Sequence, residues 1–216
     1  MIAIDGPVAA GKSTIGRLLT QRLGYRFVDT GEMYRALTWK AMKLNINLED
    51  EEALGRLASN TKIELSSTGD CCVLVNGQDV TPNIHNFEVE AGVSMVAKVA
   101  KVREVLVKQQ RRLAQKGKIV MAGRDIGTTV LPHAELKVYL VASVEERARR
   151  RYLELIERGK ITDYQAILAD LVRRDGIDSE RAISPLQPAS DARIIDTDGL
   201  SPQQVLSEIL GMVGES

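Results

Sequence analysis

The chain has 216 residues, of which 44% are hydrophobic and 27% are charged. That much apolar material is enough for one full hydrophobic core, with room for a small inserted subdomain. The 29 basic and 29 acidic residues cancel, which excludes the broad positive surface of a protein that binds nucleic acid or anionic membrane.

The sequence also bears on where the protein acts. No apolar run is long enough to span a bilayer, and the apolar start of the chain meets Asp5 and Gly6 too early for a secretion signal. Cys71 and Cys72 are neighbours, and because a disulfide between adjacent residues is strained, we expect reduced thiols. We therefore expect a cytoplasmic monomer that has neither nucleic acid nor membrane as a partner.

The first part of the chain predicts a strand, a loop and a helix. The strand is expected at 2–5, and apolar side chains that recur every three or four residues predict a helix over 12–23. A short strand is expected at 26–28. A second helix is expected over about 32–43, with Thr30 as its capping residue.

The pattern changes after a further helix expected at 50–58. Apolar and polar residues alternate at 62–66 and again at 72–75, which is typical of strands with one buried face. The Asn-Gly dipeptide at 76–77 indicates a hairpin turn, because both turn positions need a positive φ. We interpret residues 61–82 as a small antiparallel segment, which forms an inserted α+β subdomain together with a helix expected at about 86–98.

The second half of the chain alternates helices with compact apolar strands. Parallel strands that alternate with helices predict a three-layer α/β core. The expected elements, in order, are a helix at 102–116, strands at 119–122 and 136–141, charged helices at 144–158 and 163–174, a strand at 194–196, and a final helix that begins at Pro202 after the cap Ser201.

The loop after the first strand matches a phosphate-binding motif. Residues 6–13 fit G-x-x-x-x-G-K-[ST] without a gap, between a strand and a helix, a context that a chance glycine turn does not explain. The glycines let backbone N–H groups turn toward phosphate oxygens, Lys12 reaches the β- and γ-phosphates, and Ser13 offers its hydroxyl to Mg²⁺. The residues predicted to bind ATP here are Gly6, Pro7, Val8, Ala9, Ala10, Gly11, Lys12, Ser13 and Thr14.

Other P-loop classes fit the sequence less well. A GTPase needs the guanine-reading N-K-x-D, which the sequence lacks, and the D-x-x-G pattern at 196–199 stands in the wrong chain order. A chain of this size with the motif at its start favours a kinase of small molecules.

Two segments that follow strands are candidates for binding the second substrate, because open α/β sheets bind ligands at the carboxyl edge. Arg35 is suited to clamp a phosphate, but a salt bridge to Glu32, three residues earlier, explains it equally well. In the segment 123–127, Arg124 and Asp125 are either a structural ion pair or a phosphate donor beside a base-reading acceptor. Their position at a strand end favours the second interpretation.

Two arginine-bearing helices joined by Gly159 and Lys160 predict a lid at about 147–181 that closes over the ATP phosphates. The alternative is a solvated helix face, since glutamates stand close enough in sequence to pair with these arginines. The arginines concerned are Arg147, Arg150, Arg151, Arg173, Arg174 and Arg181.

Together these segments resemble the bacterial cytidylate kinase family over essentially the whole chain. The resemblance is carried by GPVAAGKST, DTGEMYRALT, KVREVL, GRDIGTTVLP, EERARRR and RRDGIDSERAISPL. It implies a three-layer P-loop NTPase core with a five-stranded parallel sheet at 1–57 and 99–216, and an insert at 58–98 that binds the nucleoside monophosphate. It also implies transfer of the γ-phosphate of ATP, bound with Mg²⁺, to CMP or dCMP.

The resemblance further implies roles for single residues. The cytosine is expected to be read by Ser94, Arg103 and Asp125, and the pentose to be held by Thr30, Arg174 and Asp178. The acceptor phosphate is expected to be gripped by Arg35, Arg124 and Arg181. Arg147 and Arg151 are expected to contact ATP from the lid, and the expected catalytic residues are Lys12, Arg124, Arg150 and Arg181.

Two positions depart from the family pattern. Ala9 stands where the loop often has glycine, and His85 stands where an arginine is expected, which puts any acceptor contact from position 85 in question. We expect His85 and His133 to be surface residues. Three rivals stay open: a kinase for UMP, AMP or another acceptor, a nucleotide sensor without catalysis, and an α/β domain whose charged faces are only solvated.

Overall fold

A computed structural model of the chain describes residues 1–65 and 72–214. Cys71 and the last residue of the strand expected at 62–66 lie outside this part. Within it, the helices and strands follow the order that the sequence predicts, and none of the helices is both long and apolar enough to cross a membrane.

The elements of the described residues are named here in chain order. The helices are α1 (Lys12–Leu23), α2 (Thr30–Lys43), α3 (Glu51–Ser59), α4 (Phe87–Lys98), α5 (Ala100–Ala114), α6 (Val144–Glu157), α7 (Tyr164–Glu180) and α8 (Pro202–Gly214). The strands are β1 (Ile2–Asp5), β2 (Arg26–Asp29), β3 (Ile63–Leu65), β4 (Val73–Val75), β5 (Gln78–Asp79), β6 (Ile119–Ala122), β7 (Leu136–Val141) and β8 (Arg193–Asp196).

The larger sheet has, among the described residues, five parallel strands in the order β2-β6-β1-β7-β8. Ile4 of β1 is paired with Ala122 of β6 and Val138 of β7, so the carboxyl ends of these strands lie at one edge. The segments that follow β1, β2 and β6 therefore converge there. They are the three segments in which the sequence predicts ligand-binding residues.

Helices cover both faces of this sheet, which confirms the predicted three-layer core. Ile4 points to one face and packs with Leu19 of α1 and Ile209 of α8. Its neighbour Ala3 points to the other face, in a cluster with Val107 of α5. Successive residues of a strand point to opposite faces, so both sides of each buried strand are apolar.

The smaller sheet is antiparallel, in the order β3-β4-β5, and belongs to the predicted insert. Asn76 and Gly77 have φ of 51° and 83°, the left-handed conformation that their dipeptide predicts. The insert shares its hydrophobic core with neighbouring helices: Val75 of β4 clusters with Leu54 of α3 and Leu106 of α5. The insert is therefore packed firmly against the elements on either side of it in the chain.

Three helices have predicted ends that differ from the structure by two or more residues. Thr30 is the first residue of α2 and not its cap; the Asp29 side chain caps the helix by accepting a hydrogen bond from the Gly31 N–H at 2.9 Å. α5 starts and ends two residues earlier than expected. α7 continues six residues beyond 174, through Gly176, which brings Asp178 into a helical turn near the sheet edge.

Candidate active site

A cavity of about 870 Å³ lies at the carboxyl edge of the larger sheet. Its lining comes from the P-loop and from α2, α4, α6 and α7, so both the core and the insert contribute to it. Every residue that the sequence predicts for the site lines this cavity except Gly6, Pro7 and Arg147. The sequence therefore identified side chains that are far apart in the chain and share one cavity.

The P-loop adopts a curled backbone that glycine makes possible. Gly6 has φ of 143°, and a Cβ there would lie 2.2 Å from the Leu140 carbonyl oxygen, so a side chain does not fit. Ala9 has φ of 59°, a left-handed conformation that costs a non-glycine residue about 1 kcal/mol. This strain explains why the family loop often has glycine at that position.

Lys12 lies inside this curl. Its Nζ donates a hydrogen bond to the Pro7 carbonyl oxygen at 2.5 Å. Burial, and then the nearby Arg124 guanidinium, hold the pKa of Lys12 well below its ordinary value. An anion bound beside Lys12 would offset both effects, because an opposite charge favours the protonated amine.

The Ser13 hydroxyl and the Asp29 carboxylate lie together at the end of the loop. Ser13 Oγ donates to Asp29 Oδ2 at 2.6 Å, and Asp29 Oδ1 accepts from the Gly31 N–H. Both residues line the cavity. Oxygen ligands of this kind are those that Mg²⁺ prefers in proteins.

A buried polar cluster also lines the cavity. Arg103 Nη2 donates to Asp125 Oδ2, and Nη1 donates to the Ala97 carbonyl oxygen at 3.1 Å. The Arg103 guanidinium also lies over the Tyr34 ring, 5.6 Å from its centroid. Ser94 is buried beside them. The cluster combines a rigid cation, an anion and a hydroxyl, which suits recognition of a polar base edge.

Arg124 and Asp125 are adjacent in sequence but do not pair with each other. Arg124 Nε donates to Asp178 Oδ2 at 2.8 Å, whereas Asp125 pairs with Arg103. The predicted alternative of a local ion pair is therefore wrong. Arg181 Nη1 lies 3.9 Å from the other oxygen of Asp178, so this carboxylate orients two arginines.

Several buried guanidinium groups have donors without a hydrogen-bond acceptor in the described part of the chain. They are Arg35 Nε, Arg103 Nε, Arg174 Nε and Arg181 Nη2. Burial lowers the pKa of both Arg174 and Arg181, and neighbouring arginines lower it further. An unsatisfied buried donor costs roughly 1–3 kcal/mol, so these groups favour an anionic ligand with many acceptor oxygens.

Arg35 pairs with Glu32, as one of its two interpretations predicts. Its Nη2 lies 2.9 Å from Glu32 Oε1, and the side chain also lines the cavity. The other Glu32 oxygen lies 3.2 Å from His85 Nε2. His85 is half-buried and lines the cavity, so it is more than the surface residue that we expected, whereas His133 is exposed as predicted.

The arginines of α6 have three different environments. Arg147 is buried and donates to the Val8 carbonyl oxygen of the P-loop at 3.1 Å and to Asp175 on α7 at 2.6 Å. Arg150 lines the cavity and donates to Thr197, while Arg151 donates to Glu90 of α4 at 2.5 Å. The α6–α7 pair, which we call the lid, thus contacts both the P-loop and the insert.

The sequence analysis also missed several residues of this region, among them Asp29 and Tyr34. Arg149 and Arg158 also line the cavity, and Glu90 faces it from α4. Asp5 Oδ1 and Oδ2 accept hydrogen bonds at 2.7 Å from the backbone N–H groups of Ile126 and Gly127, which ties the P-loop strand to the loop after β6. Burial raises the pKa of Asp5 to about 6, although these two N–H groups lower it. The sequence did offer a signal for Asp5: it is an aspartate at the end of a buried strand, directly before the P-loop.

Comparison with known proteins identifies the family. The chain matches the family model of cytidylate kinase over residues 2–215. Cytidylate kinase of Geobacillus sp. (strain WCH70) is 53% identical over 215 residues, which cover 99% of this chain and 96% of the relative. Cytidylate kinase of Bacillus subtilis (strain 168) is 51% identical over 213 residues, which cover 98% of this chain and 95% of the relative.

Solved structures of more distant kinases share the fold. A gluconokinase from Sinorhizobium meliloti 1021 aligns with a TM-score of 0.52 at 14% identity, over 99% of this chain and 91% of its own. Shikimate kinase from Bacteroides thetaiotaomicron aligns with a TM-score of 0.50 at 14% identity, over 99% of this chain and 97% of its own. The family match covers nearly the full length, and the chain therefore belongs to the cytidylate kinase family of ATP-dependent nucleoside monophosphate kinases.

Proposed function

We propose that the chain transfers the γ-phosphate of ATP to CMP or dCMP within the cavity described above, giving ADP and CDP or dCDP. One observation carries the proposal: a phosphate loop, a buried polar cluster and several arginines line the same cavity. Two anionic nucleotides that meet end to end repel each other, so a catalyst must hold both in line and neutralise their charge.

The polar cluster has the donors and acceptors that cytosine requires. Cytosine presents acceptors at O2 and N3 and a donor at its exocyclic amine. In the proposed complex Arg103 donates to the two acceptors, while Asp125 and Ser94 accept from the amine. Uracil reverses the polarity at N3 and at position 4, and it would leave buried polar groups facing like partners.

Other residues of the cavity are suited to the acceptor nucleotide. Thr30, Arg174 and Asp178 line the cavity together and are proposed to hold the pentose. Arg35, Arg124 and Arg181 are proposed to grip the acceptor phosphate. The unsatisfied donors of Arg35 and Arg181 support this assignment, because a phosphate group offers them several oxygens at once.

The donor nucleotide is proposed to bind with its phosphates in the P-loop. Lys12, Ser13 and the loop N–H groups face it there, and Arg150 and Arg151 approach from the lid. Arg147 is better suited to another role, because its donors are engaged with Val8 and Asp175. We propose that it holds the P-loop in shape and so acts on ATP indirectly.

Mg²⁺ fits the oxygen ligands at Ser13 and Asp29, and when bound with ATP it would neutralise charge on the β- and γ-phosphates. The chain itself has a simple task in the chemical step. A phosphate monoester is already anionic at neutral pH, so the acceptor needs no general base. Lys12, Arg124, Arg150 and Arg181 are proposed to position the reacting groups and to stabilise the charge of the transferring phosphoryl group.

The proposed division of the chain follows from these roles. The core at 1–57 and 99–216 provides the P-loop and the lid at about 147–181, and the insert at 58–98 provides Ser94. Contacts of Arg151 with Glu90 and of Arg173 with the Ala91 carbonyl oxygen join lid and insert across the cavity. A cytoplasmic location and a monomeric state stay predictions of the sequence.

A screen of acceptors tests the proposed function. The purified chain is incubated with ATP–Mg²⁺ and each of CMP, dCMP, UMP, AMP and GMP, and ADP formation is followed. We expect CMP or dCMP to react with a kcat/KM at least about a hundredfold above that of the other acceptors, since mismatched buried polar groups discriminate strongly. Comparable rates with UMP, or ATP binding without any transfer, would contradict the proposal.

A further inference from the structure

Glu32 is an acidic side chain in a cavity suited to anions. It lines the same cavity as the arginines, and its side chain is only 11% exposed. A carboxylate near a phosphate is unfavourable unless its charge is balanced, because like charges repel strongly where water is scarce. Its neighbours are therefore informative about what it does.

Two basic groups bracket the Glu32 carboxylate. Arg35 Nη2 lies 2.9 Å from Oε1, and His85 Nε2 lies 3.2 Å from Oε2. Burial alone would raise the pKa of Glu32, but His85 and Arg35 outweigh it and lower this pKa to about 2. Glu32 is therefore ionised at neutral pH and orients one edge of the Arg35 guanidinium, while Arg35 Nε has no acceptor in the described residues.

Two further carboxylates, Asp29 and Glu90, also act on the Arg35 guanidinium, and each has a partner besides this trio. Asp29 lies 4.0 Å from Arg35 Nη2, but Ser13 and Gly31 donate to its two oxygens. Glu90 of α4 receives a hydrogen bond from Arg151 of α6. Arg174 of α7, at the far side, faces Asp170 at 3.7 Å. The local charge near Arg35 thus depends on whether His85 carries a proton.

We propose that Glu32 and His85 are positioning residues for Arg35, and that protonation of His85 strengthens the grip of this site on the acceptor phosphate. The inference rests on the proposed function, and it identifies a role for the residue that departs from the family pattern. When His85 is neutral, the negative charge of Glu32 and the positive charge of Arg35 cancel. With protonated His85, the trio keeps one positive charge for the acceptor phosphate.

The consequence is that the affinity for CMP depends on pH through the charge of His85. Imidazole side chains ordinarily change charge between about pH 5 and 8. A nearby charge commonly changes a coupled equilibrium by about tenfold, which corresponds to one pKa unit. The phosphate of CMP titrates in the same range, so the test must compare variants at each pH instead of following one protein.

The experiment measures CMP binding by calorimetry, without ATP, at about pH 5.5 and about pH 8. The proteins are the wild type, His85→Ala, His85→Arg, Glu32→Gln and the exposed control His133→Ala. At low pH we expect His85→Ala to bind CMP about tenfold more weakly than the wild type, and at high pH equally well. His85→Arg should match the wild type at low pH and exceed it at high pH.

Two further results complete the test. In Glu32→Gln the change in CMP affinity between the two pH values should be smaller than in the wild type. His133→Ala should bind CMP as tightly as the wild type at both pH values. ATP affinity should not change with His85 at either pH. If the ratio between His85→Ala and the wild type is the same at both pH values, the inference is overturned while the proposed function stands. If the wild type fails to bind CMP at either pH, the proposed function falls and the inference with it.

Discussion

Replacing Arg103 with methionine should lower both the stability of the protein and its activity toward CMP. In the wild type Arg103 and Asp125 are 3% and 6% exposed, so the variant leaves a buried carboxylate without its main partner. Breaking such a pair from one side costs about 3–5 kcal/mol of unfolding free energy, a large fraction of the total for a domain of this size. The variant is therefore expected to unfold at a clearly lower temperature.

The effect on catalysis should be confined to one substrate. The variant lacks the donors that are proposed to make charge-assisted hydrogen bonds to cytosine, each worth about 1.5–3 kcal/mol, so kcat/KM for CMP should fall roughly tenfold to a hundredfold or more. KM for ATP should stay within about twofold, because the partners of Arg103 are Ala97, Asp125 and Tyr34 and not residues of the P-loop. The assay is steady-state kinetics with each substrate varied in turn, below the unfolding temperature of the variant.

A double variant distinguishes binding from folding. Arg103→Met with Asp125→Ala removes both charges, so it should regain part of the lost stability without regaining affinity for CMP. Arg112→Met, an exposed position on the same helix, is the control and should change neither property. Equal losses of affinity for CMP and ATP, or recovery of CMP affinity in the double variant, would refute the reasoning.

Three further perturbations test other parts of the site. Lys12→Ala should lower kcat by at least about a thousandfold while leaving the unfolding temperature near that of the wild type, because the lysine is desolvated in the folded state; wild-type turnover would contradict its role. Arg147→Ala should raise KM for ATP and lower the free energy of unfolding by about 2–4 kcal/mol, since the P-loop loses a buried partner, and an unchanged KM for ATP would count against this. Asp5→Asn tests the pH dependence of stability by urea unfolding. The pKa of Asp5 rises from 3.8 to about 6 on folding, so the folded state holds this proton more tightly. Because of this group, the wild type should lose stability as pH rises through that window. The variant should lack this loss.

The fold could be predicted from the sequence because local signals and tertiary packing agree. The strands at Ile2–Asp5, Ile119–Ala122 and Leu136–Val141 are buried apolar runs, and their predicted bounds match the structure. The Asn-Gly turn at 76–77 has the backbone that its residues favour. The end of α7 was wrong because Gly176 weakens a helix locally, whereas the ion pair of Asp178 with Arg124 holds that turn in place.

Side-chain partners were harder to predict than elements. Arg147, Arg150 and Arg151 share a helix face by spacing, yet one of them contacts the P-loop backbone, one contacts Thr197 and one reaches Glu90. Helical periodicity gives the direction of a side chain but not which neighbouring element it meets. The contact between Glu32 and His85 joins residues of α2 and of the turn before α4, and no spacing rule relates them.

The central claim is that two nucleotides bind in one cavity with their phosphates meeting between the P-loop and the arginines. The most direct measurement is calorimetric titration with a bisubstrate nucleotide, in which adenosine and cytidine are joined 5′ to 5′ through a polyphosphate bridge. Because the second contact becomes intramolecular, one molecule should bind per chain, at least about a hundredfold more tightly than ATP or CMP alone. Binding no tighter than ATP, or a second molecule bound per chain, would contradict the claim.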